Sequence, residues 1–234
     1  LGDQQPISRD AAEKLNLSLL AEEQREQFRQ DYDLDYCYAT DQGDRYRINV
    51  HMQRLGVSSS YRIVDRDVSS FADLGFKRTD ILDKLTTYHQ GMILLTGPAG
   101  CGKSTTMNAF IDLINRSRHE HIITVEDPIE FVHHNVYAIV QQREVHADTR
   151  SFSTALKYVL RQDPDVILIG EMRDQETIAA ALTAAETGHL VLATLHTNDV
   201  IQTVDRIIDI FPAHQQNQVR TQLAACILGV VAQR

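Results

Sequence analysis

The sequence predicts an α/β protein with a mostly parallel sheet, preceded by a small α+β domain that contains antiparallel strands. From residue 81 onward, apolar runs of strand length alternate with stretches of helical period, which is typical of a parallel sheet with helices on its faces. Within the first 65 residues, polar and apolar side chains instead alternate one by one over 32–38 and 46–52, the period of half-buried strands. We therefore expect an N-terminal domain over 1–65, a linker over 66–80 and an α/β domain over 81–234.

The N-terminal domain is predicted to hold a helix and a three-stranded meander. The helix is expected over 21–30, in a polar, acidic stretch. Strict alternation over 32–38 and again over 46–52 predicts two strands, with a turn at 41–44 between them. A third apolar run near 57–64 completes the meander.

Strands and helices alternate along the second domain. Strands are predicted over 91–96, 121–126, 137–143, 165–169 and 189–195. Helices are predicted over 80–89, 103–116, 151–162, 174–187, 199–210 and 214–232.

The first predicted strand of this domain runs straight into a glycine-rich segment that fits G-x-x-x-x-G-K-[ST]. Backbone N–H groups of such a loop close around phosphates, while a lysine and a hydroxyl residue contact the β/γ-phosphates and Mg²⁺. A nucleoside triphosphate with Mg²⁺ is therefore the predicted ligand. The predicted binding residues are Gly97, Pro98, Ala99, Gly100, Cys101, Gly102, Lys103, Ser104 and Thr105.

Acidic and imidazole side chains follow three other predicted strands. Glu130 follows the strand over 121–126, Glu171 follows the strand over 165–169, and His196 follows the strand over 189–195. Because parallel strands end at one edge of a sheet, these residues are expected beside the glycine-rich loop. A carboxylate there could orient or deprotonate water and ligate Mg²⁺. His189 begins the strand that His196 follows, which predicts about 20 Å between their rings and no shared metal site.

Charge, cysteine content and apolar run length bear on which classes of protein this chain can belong to. The formal net charge of −9 argues against a nucleic-acid-binding surface over the whole molecule. The three cysteines share no metal-ligand spacing and are interpreted as reduced thiols. No apolar run reaches the length of a membrane span. Since the chain begins with Leu1 and stops inside a predicted helix, it is expected to be a piece of a longer protein.

Four segments together resemble a known family. The glycine-rich loop and residues 126–130, 169–174 and 187–197 resemble the Walker A, Asp box, Walker B and His box of the secretion-superfamily ATPases. Within that group, the segments 142–149 and 204–212, together with Met172, are similar to the PilT type, the type IV pilus retraction motors. The resemblance implies a PAS-like N-terminal domain and a RecA-like core.

The same resemblance implies roles for individual residues. Lys103 and Ser104 would hold the phosphates and Mg²⁺, Glu130 would be the general base, and Glu171 would lie near Mg²⁺ and the lytic water. His189 and His196 match the two His-box histidines, which the family places in function. Family members also supply arginines in trans from the N-terminal domain, for which the matches here are Arg47, Arg62 and Arg54.

The resemblance further implies a homo-hexameric ATPase in the cytoplasm, at the inner face of the cytoplasmic membrane. It would act on an inner-membrane pilus platform protein, with peripheral membrane association only and no nucleic acid. Three alternatives stay open at this point: an accessory paralogue with little hydrolysis of its own, a pilus-extension or type II secretion ATPase, and a nucleic-acid motor. A GTPase is disfavoured because no Asn-Lys-x-Asp segment is present.

Overall fold

The computed structural model describes residues 7–40, 44–64 and 68–234. The chain divides into two units, Leu1–Arg66 and Asp67–Arg234, and each is described by itself. The turn predicted at 41–44 lies for the most part outside the described residues.

The first unit consists of two helices followed by an antiparallel sheet of order β1-β2-β3. Its elements are α1 (Arg9–Leu17), α2 (Glu22–Asp31), β1 (Asp33–Ala39), β2 (Arg45–Gln53) and β3 (Gly56–Val64). The meander predicted from the alternation is confirmed. Helix α1, which the sequence analysis missed, begins after Ser8, whose hydroxyl accepts a hydrogen bond from the Ala11 N–H.

A small core holds the first unit together. Ile48 and Val50 on the central strand are fully buried and pack with Leu34 and Phe28. The alternation continues to the other end of β3, but there Ile63 is 71% exposed. The apolar face is therefore buried at one end of this sheet only.

The second unit contains the remaining elements. They are α3 (Thr79–Leu85), β4 (Gly91–Thr96), α4 (Lys103–Ser117), β5 (His121–Glu126), β6 (Ile139–Glu144), α5 (Phe152–Val159), β7 (Val166–Ile169), α6 (Gln175–Glu186), β8 (Leu190–Leu195), α7 (Val200–Asp209), α8 (Ala213–Cys226) and β9 (Ile227–Ala232). Among the described residues, no helix combines the length and the apolar character needed to cross a lipid bilayer.

The large sheet has the strand order β6-β5-β7-β8-β4-β9. Every pairing between neighbouring strands of this sheet is parallel. The predicted fold class, an α/β core with a mostly parallel sheet preceded by a small α+β unit, is confirmed.

Helices cover both faces of this sheet. Because successive side chains of a strand point to opposite faces, each strand contributes to two separate cores. On one face, Met92 and Leu94 belong to a core that includes side chains of α5, α6, α7 and α8. On the other face, Ile93 and Leu95 pack with α3 and α4. Each central strand is therefore buried on both sides, as expected for a parallel sheet.

The helix predicted over 214–232 is wrong in its last third. Helix α8 ends at Cys226, and Ile227 adopts extended dihedral angles (φ −68°, ψ 124°). Ile227–Ala232 form β9 and pair with β4, which supplies hydrogen-bond partners to an edge that would otherwise be bare. The β-branched pair Val230 and Val231 favours this strand conformation.

The stretch predicted as a linker packs for most of its length as part of the second unit. Phe71 is 5% exposed and its ring meets that of Phe110 edge-on at 4.7 Å. Phe76 in turn contacts Phe71 at 6.2 Å. These aromatic contacts hold residues 68–80 against α4, so the described part of this stretch is not a free connection.

We predict that Phe110→Ala destabilises the second unit strongly. Phe110 is fully buried between Phe71 and the sheet, so its removal leaves a cavity and should cost about 3–5 kcal/mol of unfolding free energy. Urea denaturation measures this change. Tyr158→Ala, at a position 55% exposed, is the matched control and should cost under about 1 kcal/mol. Equal effects of the two substitutions would contradict the packing described here.

Candidate nucleotide-binding site

The glycine-rich loop connects β4 to α4 at the carboxyl edge of the sheet. Gly97, Gly100 and Gly102 adopt positive φ values of 148°, 79° and 91°. Gly102 is also the N-cap of α4, so the partial positive charge of that helix terminus faces the end of the loop. A helix N-terminus preceded by such a loop favours a bound phosphate group.

Gly97 shows why this loop tolerates no side chain at its start. A Cβ atom there would lie 2.4 Å from the Gln233 carbonyl oxygen and 2.6 Å from Cys101 Sγ. Gln233 is held in this position by its N–H, which donates to the Thr96 carbonyl at 2.8 Å. Its Nε2 donates to Thr106 Oγ1 at 2.9 Å. The loop is therefore packed against the residue that follows β9.

Lys103 is almost fully buried at the base of the loop, with 7% of its surface exposed. Its Nζ donates to the Gly97 carbonyl at 2.8 Å and to the Pro98 carbonyl at 2.9 Å. It also lies 3.4 Å from His196 Nδ1. A buried ammonium group enclosed by its own loop is well placed to contact an anion bound there.

Glu171 and His196 meet beside Lys103. His196 Nε2 lies 3.2 Å from Glu171 Oε1, which also accepts a hydrogen bond from Arg173 Nε at 2.5 Å. Because Nδ1 of His196 faces an ammonium donor and Nε2 faces a carboxylate, these partners fit an imidazole protonated at Nε2. Burial opposes ionisation of Glu171, but the hydrogen bonds from Arg173 and His196 and the charge of Arg173 outweigh burial and lower the pKa of Glu171.

Glu130 lies in the loop that follows β5. This loop and the one that carries Glu171 leave the same edge, since β5 and β7 are parallel neighbours with Val125 opposite Ile169. Glu130 is exposed, and its charge contributes to raising the pKa of Glu126. The structure therefore brings His196 into contact with both Lys103 and Glu171 and places Glu130 on the same edge.

Glu126, at the end of β5, is buried. Its Oε1 accepts hydrogen bonds from Thr124 Oγ1 at 2.6 Å and from Gln142 Nε2 at 3.1 Å. Burial raises the pKa of Glu126 to about 7, against the effect of these two bonds and with a smaller contribution from Glu130 and Glu144.

His189 lies apart from this cluster within the chain, and its catalytic role stays a prediction. It precedes β8 at the amino end, where its Nδ1 lies 2.9 Å from the Ala184 carbonyl. His196 follows β8 at the carboxyl end. The length of a six-residue strand separates the two rings, as the strand geometry predicted.

The arginines proposed from the resemblance lie in the first unit. Arg47 and Arg62 are paired directly across β2 and β3, on the face opposite Ile48. Arg54 is exposed in the turn between these strands. Their role in a neighbouring subunit's site stays a prediction.

Two residues of the site were missed by the sequence analysis. Arg173 was part of a recognised segment but received no role, and no periodicity indicates that it contacts Glu171. Gln233 was missed because the residues immediately before it, up to 232, were predicted to be helical. The strand-favouring pair Val230 and Val231 was a signal that could have placed Gln233 beside the loop.

A family model described as type II/IV secretion system protein matches residues 45–234. The chain belongs to this family. The resemblance predicted from the four motifs is therefore confirmed, and the matched region includes every motif residue of the second unit.

Individual relatives agree with the family assignment. The chain is 41% identical over 228 residues to the type IV pilus retraction ATPase PilT of Pseudomonas aeruginosa, covering 97% of the chain and 66% of the relative. It is 45% identical over 216 residues to a twitching motility protein of Neisseria gonorrhoeae, covering 92% and 57%. A crystal structure of the pilus retraction motor PilT with bound ADP superposes with a TM-score of 0.90 at 46% identity, covering 94% of the chain and 64% of that structure. The chain thus spans less than two thirds of the length of these relatives.

We predict that Glu126 makes stability depend on pH. In the unfolded chain this carboxyl ionises near its ordinary pKa of 4.5, whereas in the folded protein it keeps its proton until about pH 7. The folded state therefore binds more protons in this window, and stability falls as pH rises through it. Glu126→Gln removes this titration, so its stability relative to wild type should be higher at pH 8 than at pH 5, by up to about 3 kcal/mol.

Urea denaturation of both proteins at the two pH values measures this difference. Glu176→Gln, at an exposed position in the first turn of α6, is the control and should show the same pH dependence as wild type. A Glu126→Gln variant that loses as much stability as wild type between pH 5 and pH 8 would contradict the prediction.

Proposed function

We propose that the full-length protein is an ATP-hydrolysing motor that drives type IV pilus retraction. The observation that carries this proposal is the contact of Lys103, His196 and Glu171 beside the glycine-rich loop. The similarity to retraction ATPases and to an ADP-bound retraction motor supports the choice of nucleotide and of machine.

The residues present fit ATP and Mg²⁺. The start of the loop has room for backbone only, as the close approach of Gln233 to Gly97 shows, and such a loop can surround phosphates with N–H groups. The Ser104 hydroxyl and the Glu171 carboxylate are the oxygen ligands that would hold Mg²⁺, a cation that prefers oxygen. When bound, Mg²⁺ neutralises charge that develops on the phosphate oxygens.

Residues of the chain have separate roles in phosphate binding and in hydrolysis. Lys103 holds the β/γ-phosphates and keeps them beside the strand ends. Glu130, exposed on its loop, accepts the proton of the attacking water as general base. The lowered pKa of Glu171 keeps this carboxylate ionised and therefore unable to act as a proton donor, which suits a ligand or water-orienting role. His196 links Lys103 to Glu171 and so couples the phosphate contact to the carboxylate.

The same proposal covers assembly and location. We infer a homo-hexamer in the cytoplasm that associates peripherally with the inner face of the cytoplasmic membrane and turns a pilus platform protein there. Arg47 and Arg62, with Arg54 as a third candidate, would reach the nucleotide of a neighbouring subunit and stabilise charge on the γ-phosphoryl group. An accessory paralogue without hydrolysis is disfavoured, because Lys103, Glu130 and Glu171 are all present.

We predict that Glu171→Gln and Glu130→Gln each lower ATP turnover by at least about 100-fold in the full-length protein, because each removes a carboxylate on which hydrolysis depends. Phosphate release under saturating ATP measures the change. ADP affinity of both variants should stay near that of wild type, whereas Lys103→Ala should lose it. Wild-type turnover in Glu171→Gln would refute the site assignment.

We also predict that the full-length protein has a native mass of six subunits in the presence of ATP. A neighbouring subunit that supplies an arginine makes the site complete only in a ring. Native mass spectrometry with and without ATP measures the assembly. A monomer that hydrolyses ATP at full rate would contradict the hexameric model.

A further inference from the structure

Two side chains of the edge strand β6 hold the loop that carries Glu130. Glu144 Oε2 accepts a hydrogen bond from the Ile129 N–H at 3.0 Å. Gln142 Nε2 donates to the Phe131 carbonyl at 2.8 Å. These bonds fix the backbone immediately before and immediately after Glu130, so β6 determines the position of Glu130.

Gln142 holds the Glu130 loop through both the oxygen and the nitrogen of its side-chain amide. Its Oε1 accepts from the His133 N–H at 2.8 Å, while its Nε2 donates to the Phe131 carbonyl and to Glu126 Oε1. Since each of these partners requires a donor or an acceptor at its own position, the orientation of the amide is determined. One side chain thereby joins the end of β5 to the backbone on the far side of Glu130.

A second connection ties the same loop to the helix that follows the glycine-rich loop. His133 Nε2 lies 2.6 Å from Asn108 Oδ1, and Asn108 Nδ2 donates to the Ser104 carbonyl at 2.8 Å. Both His133 and Asn108 are buried. The Glu130 loop is thus held between β6 on one side and the first turns of α4 on the other.

We propose that Gln142 is a positioning residue for hydrolysis that acts through Glu130. The proposal rests on the proposed function, since it concerns the reaction in which Glu130 is the base. A general base must lie within hydrogen-bond reach of the proton it takes, so the loop that carries it has to be held in place. The bonds of Gln142 go to Glu126, Phe131 and His133, so its loss should change turnover rather than nucleotide binding.

The neighbouring glutamine provides a matched control. Gln141 stands on the same strand, is exposed and points to the opposite face from Gln142. The experiment compares Gln142→Leu and Gln141→Leu in the full-length protein by steady-state ATP hydrolysis and ADP affinity. For Gln142→Leu we expect kcat to fall about 10- to 100-fold with KM and ADP affinity changed less than about 2-fold. Gln141→Leu should match wild type.

A double mutant separates positioning from a general loss of structure. If Gln142 acts through Glu130, adding Gln142→Leu to Glu130→Gln should lower kcat by less than about 2-fold further. A full additional loss in the double mutant would overturn the proposal, as would an unchanged kcat in Gln142→Leu. If the leucine variant does not fold, Gln142→Glu replaces it, because a carboxylate keeps the acceptor for His133 but cannot donate to Phe131.

Amide hydrogen exchange tests the positioning without relying on hydrolysis. The N–H group of His133 should exchange at least about 10-fold faster in Gln142→Leu than in Gln141→Leu, because it loses its acceptor, Gln142 Oε1. Equal exchange in the two variants would overturn the role of Gln142 even if wild type proved inactive. An inactive wild type with the expected exchange difference would instead refute the proposed function and leave the anchoring of this loop supported.

Discussion

The parallel alignment of β5, β7, β8 and β4 is the constraint on which the rest of the structure depends. Strands that run in one direction end at one edge, so the loops after them share that edge however far apart they lie in the sequence. This explains how Lys103 and His196, 93 residues apart, come within 3.4 Å of each other. It also brings Glu171 to His196 without any local sequence relation between them.

Threonines near the strand ends connect these loops to one another. The Thr96 hydroxyl, at the end of β4, contacts the hydroxyl of Thr197 at 2.5 Å, and Thr197 contacts Thr203 on α7 at 2.7 Å. The Thr194 hydroxyl of β8 donates to the Gly170 carbonyl beside Glu171 at 2.5 Å. Hydroxyl groups can donate and accept at once, so they bridge backbones that carry no regular pairing. Hydroxyl hydrogen bonds therefore join the ends of β4, β7 and β8 next to Glu171 and His196.

The sequence was sufficient for elements whose apolar runs end in clear breaks. The strands at 91–96 and 121–126 match β4 and β5 residue for residue, because each apolar run meets a glycine or charged residues at its end. The prediction of a helix beyond Cys226 was wrong because an apolar run that follows a helical period can either continue the helix or form a strand. Only the bare edge of β4, a tertiary feature, decides between them.

For the site, the sequence predicted only the features that follow from the order and direction of the strands. Strand ends located His196 and Glu171 at one edge and His189 at the other, since this follows from strand direction alone. The contact of Arg173 with Glu171 depends on side-chain rotamers. The hydrogen bonds from Gln142 and Glu144 to the Glu130 loop depend on which face of β6 turns toward that loop. No period in one sequence carries that information. The close fit of Gln233 against Gly97 also has a steric consequence: the start of the glycine-rich loop cannot move toward the end of β9 unless Gln233 moves as well.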